Sequence, residues 1–243
     1  LIVGQAQDNA KYTLDITLKE PIFEVLVNES RNSVPEPGLF TTIELSTEAT
    51  YERTGKLLAV CYVSALTEPL PEPLDTLLKK VKEIKDEVQC MNSIIAFLKM
   101  HITYLGHWDE ESGALVPQSL QTTMKSGQGD CKSFAAAFAA VLNKLEGYYA
   151  EIAMINQGPI YPKDKGGLPN LSNFNHAINK VTTPSGKIYW PDPTNSVLMA
   201  DGISPEIADR FALVLDVENP RYERTPPIDY RHSGYKVERS IIP

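Results

Sequence analysis

The chain has 243 residues, 42% of them hydrophobic and 22% charged, and carries a net charge of −8 at neutral pH. That length can bury a full core, as one large or two modest domains, without metals or disulfide bridges. An acidic balance with no basic block argues against a nucleic-acid partner, and no run of about 18 apolar residues is present to span a membrane.

The chain starts with Leu1 rather than Met, and no charged, apolar, small-residue leader follows. It reads as an excised or processed piece, so it says nothing about export. Residues 1–68 have the texture of a β-rich, sandwich-like N-terminal domain. Tyr12, Leu14, Ile16 and Leu18 alternate with Thr13, Asp15 and Thr17, Phe23, Val25 and Val27 follow, and Leu39 to Leu45 and Leu57 to Val63 complete a set of antiparallel strands. Closely spaced prolines at Pro69, Pro71 and Pro73 predict a stiff, extended linker over residues 69–75. A second domain, residues 76–204, begins beyond it.

That domain opens with Val81, Ile84, Val88, Met91, Ile95, Leu98 and Ile102 at alternating spacings of three and four, the stripe of one amphipathic helix. Next comes Gly127-Gln128-Gly129-Asp130-Cys131-Lys132. Asp130 is a good helix N-cap, and Phe134, Phe138, Val141, Leu142 and Leu145 form one apolar face of the helix it starts, which should end near Gly147. Cys131 then lies on the first turn, where unpaired N–H groups and the positive end of the helix dipole favour a thiolate over a thiol. A run of small residues, Ala135 to Ala137 with Ala139 and Ala140, suits a central helix approached closely by its neighbours.

Ala150 to Ile155 reads as the following strand. Residues 156–170 are rich in Gly, Pro and Asn; a loop of that length either borders a substrate groove or is a plain surface excursion. His176 to Thr182 and Lys187 to Trp190 are β-compatible and flank Pro184-Ser185-Gly186, which suits a three-residue hairpin loop with Gly in the left-handed position. With Thr183 and Lys187 as the closing pair, Ile178 faces Asp192 and His176 faces Thr194. His176 and Asp192 are then diagonal neighbours on one face, about 7 to 8 Å apart at the backbone. A slip of one residue separates them. Helices laid on an antiparallel sheet make the chain α+β. A short helix at Pro205 to Arg210, a strand at Phe211 to Val217 and a strand-like tail at Tyr235 to Ile242 make up a C-terminal extension, residues 205–243, which could add a strand to a sheet, that of the first domain among the options.

Each of these residues also has an ordinary reading. A lone cysteine is commonly a small buried hydrophobe, a strand histidine a half-exposed polar residue, and Asp before Pro a turn former. Cys61 and Cys90, both in apolar surroundings, fit the first reading, and three cysteines at spacings of 29 and 41 match neither a disulfide framework nor a zinc motif. Cys131, His176 and Asp192 together have the order of a nucleophile, its base and the carboxylate that orients the base.

GDCKSFAAAFAAVL, FNHAINKV and YWPDPTNSV resemble the three blocks of the transglutaminase-like superfamily, the papain-related group that includes transglutaminases, bacterial proteases and peptide N-glycanases. The resemblance spans about residues 80 to 200. It implies a papain-like core, with Cys131 as nucleophile, His176 as general base and acid, and Asp192 as orienter. Bacterial proteins of this kind carry a β-rich domain before the core, and the resemblance implies an extracytoplasmic setting. Ser133 departs from it, since many members have Asp at that position. The implied activity is that of a thiol protease or amidase, or of an acyltransferase, on a protein or peptide substrate, with no metal or organic cofactor; the alternative is a catalytically silent binding or scaffold protein of the bacterial envelope. The backbone N–H of Cys131 is a natural oxyanion donor, and Gln128 and Trp108 are the candidates for a second.

Overall fold

The computed structural model describes residues 46, 48–106, 115–158, 168–195 and 199–228. The strands expected at Tyr12 to Leu18, Phe23 to Val27 and Leu39 to Leu45, and the tail strand at Tyr235 to Ile242, lie outside the described residues.

Described elements run in the order α1 (Tyr51–Thr67), α2 (Glu72–Val81), α3 (Glu87–His101), β1 (Thr103–Tyr104), α4 (Leu120–Ser126), β2 (Gln128–Gly129), α5 (Cys131–Leu142), β3 (Tyr149–Ile155), β4 (His176–Thr182), β5 (Ile188–Tyr189), β6 (Phe211–Leu215) and β7 (Arg221–Arg224). The architecture is α+β. Five strands form an antiparallel sheet in the order β5-β4-β3-β6-β7, and β1 and β2 make a separate short parallel pair.

Every residue of α5 is buried, as expected of an Ala-rich helix that is apolar on all sides. Its Ala135, Phe138 and Leu142 share the main core with Ile152 and Met154 of β3, Ala177 and Val181 of β4, and Leu213 of β6. The other face of the sheet buries a smaller group, Ala153, Ile155, Ile178, Trp190 and Val214. Asn179 ties helix to sheet, because its side-chain amide donates to Ala135 O at 3.0 Å and Glu151 O at 3.2 Å.

Several sequence expectations are corrected. Leu57 to Val63 is helical, within α1. Thr50 caps that helix by accepting the Arg53 N–H, and Leu58, Ala59, Tyr62 and Ala65 enter the same core as α5. Residues 51–67 therefore do not belong to a separate β-rich unit. The expected linker over residues 69–75 is cut short because α2 starts at Glu72. Pro73 sits in its first turn, where the missing N–H has no partner to lose. The stripe from Val81 to Ile102 is two helices, broken at 82–86, where Asp86 accepts the Gln89 N–H at 2.7 Å and starts α3 afresh.

The cysteine helix stops at Leu142, with Asn143 as C-cap, short of Gly147. Pro205 to Arg210 is a run of turns, with Asp209 at φ 52°, in place of a helix. The strand that follows is shorter than expected, and it pairs directly with β3 and then with β7. Residues 211–224 thus pair into the sheet that carries His176.

Candidate functional site

Asp130 starts α5 as the sequence predicts. Its Oδ1 accepts the N–H groups of Lys132 at 3.0 Å and Ser133 at 3.3 Å. The Lys132 ammonium, buried with it, forms an ion pair with Oδ2, so neither charge is left alone in the interior. Gly129 brings β2 onto the first turn of α5, since a Cβ there would come within 2.7 Å of Ser133 Cβ. Ser133 itself is buried and leaves the cap intact.

The β4–β5 hairpin has the predicted register. Val181 pairs with Tyr189 and Thr182 with Ile188. Thr183 N–H donates to Lys187 O at 2.9 Å, and Gly186 takes φ 80° in the loop. Beyond the short β5, Asn179 N–H still donates to Pro191 O at 3.0 Å, which carries the same register up to Asp192. At the loop tip, Ser185 donates to Glu87 of α3 through both its N–H, at 2.7 Å, and its hydroxyl, at 2.8 Å.

At the open end of this hairpin His176 Nε2 lies 2.9 Å from Asp192 Oδ2, and both side chains are buried. The Thr194 N–H, at 2.9 Å, and hydroxyl, at 2.6 Å, both donate to Asp192 Oδ1. With Nε2 committed to the carboxylate, Nδ1 is the ring nitrogen left to interact with Cys131, whose side chain helps to raise the imidazole. The structure thus brings Cys131, His176 and Asp192 together. Asp192 is a buried acceptor and not a solvent-facing turn residue.

Burial opposes a charged imidazole. The hydrogen bonds to Asp192 and Cys131, and the charges of both, outweigh it and carry His176 from 6.5 up to about 9. Burial likewise favours a neutral Asp192, but the bond and charge of His176 and the two bonds from Thr194 hold its carboxyl below the usual range. At neutral pH the pair is therefore an imidazolium beside a carboxylate, with the sulfur on the other side of the ring.

Two contributors escaped the sequence reading. Thr194 has a local signal, since Asp followed two residues later by Thr is a side-chain turn motif. Tyr104 has none, because a two-residue bridge leaves no periodic pattern. Burial, with the charge and proximity of Cys131, pushes its phenol well above its usual range. Of the two suggested oxyanion donors, Gln128 is exposed on β2 and Trp108 lies outside the described residues. The 159–167 part of the loop before His176 also lies outside them. Cys61, expected to be buried, is exposed on α1, whereas Cys90 is buried.

No protein-family model matches the chain, and no curated protein matches it. A solved structure from Parabacteroides distasonis, described as "a putative protease", is similar with a TM-score of 0.51 at 15% identity, over 72% of this chain and 32% of that one. The chain spans about a third of that protein's length, and at this identity the likeness speaks for the fold alone. Among the described residues, no helix is long and apolar enough to cross a membrane.

Proposed function

We propose that this chain is a transglutaminase-like cysteine enzyme with a papain-like core, acting on protein or peptide amides through a thioester. The observation that carries the reading is the continuous contact from Asp192 through His176 to a cysteine on the first turn of a buried helix. Cys131 sulfur attacks the amide carbonyl carbon, and the C–N bond then breaks as the imidazolium of His176 gives its proton to the departing amine. Water or a second amine attacks the thioester, His176 takes its proton, and the thiolate leaves. Asp192 keeps the ring oriented and its charge balanced throughout. Hydrolase and transferase share every one of these steps.

One observation favours a second reading, the silent binding or scaffold protein: Cys131 is 0% exposed, so its sulfur is covered in this structure. Peptide-library cleavage and amine-incorporation assays separate the two. Turnover by the wild type that disappears in Cys131→Ala and in His176→Ala supports the enzyme. Ligand binding without turnover, indifferent to both substitutions, supports the scaffold. Labelling with an alkylating probe must be mapped by mass, because exposed Cys61 competes with Cys131 for the reagent.

A further inference from the structure

Where the chain breaks between α2 and α3, a cavity of about 420 Å³ opens beside the residues that leave α5. None of the triad residues lines it. Its depth is apolar: Val81, Cys90 and Leu145 are buried and Tyr148 is half-buried. Its rim is cationic, because Lys82, Lys85 and Lys144 are exposed around it, and none of them makes an ion pair or a side-chain hydrogen bond among the described residues. Of the two carboxylates in the lining, that of Glu87 is already committed to Ser185, each oxygen accepting one bond, at 2.7 and 2.8 Å. Glu146 alone is left to oppose the three ammonium groups, in a chain whose net charge is −8. The walls are also tied to one another. Gly147, at φ 80°, comes so close to the β4–β5 hairpin that a Cβ there would lie 3.0 Å from Pro184, and the Ser185 bonds hold the same hairpin tip to α3. The cavity is therefore formed before anything enters it, as small-molecule sites commonly are.

We propose that this cavity binds a small organic carboxylate, with its apolar body against Val81, Leu145 and Tyr148 and its charge among the three lysines. The site goes beyond the acyl-transfer reading and stands whether or not Cys131 turns over an amide. Burial of the body supplies the affinity. The carboxylate stays at the rim, where it meets opposite charge without the full desolvation cost of the interior. Lysine ammoniums are flexible point charges with no fixed fork, so they select the sign of the ligand and not a planar geometry. An inorganic anion would gain the charge but leave the apolar depth unfilled, and a cationic ligand would be repelled. Pro184 and Glu87 belong both to the cavity and to the contact that holds the hairpin tip. An occupant therefore braces that tip, and the amides there open less often when the site is filled.

Phenylbutyrate titrated into the isotope-labelled full chain tests this by nuclear magnetic resonance. The methyl signals of Val81, Ile84 and Leu145 should shift and saturate together, with one ligand bound per chain. Phenylbutyramide, of the same shape without the charge, should bind at least about fivefold more weakly, and added salt should narrow the difference. The double variant Lys85→Gln, Lys144→Gln should lose about tenfold in affinity for the acid with its thermal midpoint unchanged, since both side chains are exposed. Amide exchange at Ser185 and Gly186 should slow by at least about twofold at saturation. An amide that binds as tightly as the acid, or a double variant within about twofold of wild type, overturns the carboxylate assignment. Shifts that never saturate, or that fall equally on exposed Leu57 and Val60 of α1, overturn the site itself. Saturable binding with exchange at Ser185 and Gly186 unchanged overturns the bracing of the hairpin. All of these are read without turnover, so an inactive Cys131 changes none of them.

Discussion

Two clusters of paired ionisable side chains, each built on a buried carboxyl, share one sheet, and they behave in opposite ways. In the first, Asp192 accepts three hydrogen bonds from His176 and Thr194 and stays ionised below the usual carboxylate range. In the second, Glu151 of β3 pairs with Arg221 of β7, and Lys180 of β4 pairs with Glu223 at 2.5 Å. Burial there outweighs the Arg221 bond and charge, so the Glu151 carboxyl is raised. Asp192 and Glu151 are both buried and paired, so neither property marks function. What distinguishes the first is that its chain of bonds ends on a nucleophile, whereas the second links strands to one another.

The sharpest break in the comparison comes from removing the nucleophile or its base. Cys131→Ala and His176→Ala should each lower turnover by at least about 1,000-fold, read by steady-state kinetics. By calorimetry on the same samples, the thermal midpoint should stay near wild type in Cys131→Ala but fall in His176→Ala, which leaves Asp192 buried without its partner. Asp192→Asn comes next, at about 100- to 10,000-fold in kcat, because an amide can donate to Nε2 and stabilise the wrong imidazole tautomer. A loss under about threefold would leave Asp192 a structural residue like Glu151.

The pH profile sharpens the contrast by sign. His176 is raised from 6.5 to about 9, so its contribution to stability is complete below about pH 6.5 and disappears as pH rises through about 9. Asp192 is lowered from 3.8, so its contribution is complete above that value and is lost as pH falls further. The pair therefore supports the fold most strongly between about pH 4 and 6.5. The alkaline limb of activity should lie near pH 9 and move toward acid in Asp192→Asn, which loses the bond and charge that raise His176. Glu151 has the reverse sign: its raised carboxyl makes burial of the ionised form unfavourable near neutrality. Glu151→Gln should accordingly give the smallest effect, an unfolding free energy within about 2 kcal/mol of wild type and unchanged turnover per folded molecule.

The site was more legible than the frame around it, and the reason is range. Asp130 announces its helix within four residues, and Pro184-Ser185-Gly186 dictates a register that places His176 against Asp192. Both are local chemistry. Helix α1 was not legible as a helix, because Leu57 to Val63 is a short continuous apolar run that suits a buried strand as well as a helix segment. Thr50, which caps it, was the available sign. The break between α2 and α3 was hidden because the apolar spacing continues across residues 82–86 by coincidence, although Asp86 is itself an N-cap. Tyr104 was invisible because its position depends on the parallel pairing of β1 with β2, residues well separated along the chain.

The bond between Glu87 and Ser185 joins positions 98 residues apart, and it closes a gap that hydrophobic patterning leaves open. A strand displaced by two residues keeps its apolar side chains on the correct faces, so burial alone scarcely resists that error. Such a displacement would carry Asp192 past His176 while leaving the core well packed. It would also pull Ser185 away from a carboxylate that accepts two hydrogen bonds from it. The far tip of the hairpin thus works as a ratchet tooth, checking alignment at the end remote from the chemistry. Lengthening that tip, a change surface turns commonly absorb, should here propagate along the strand and unseat the imidazole.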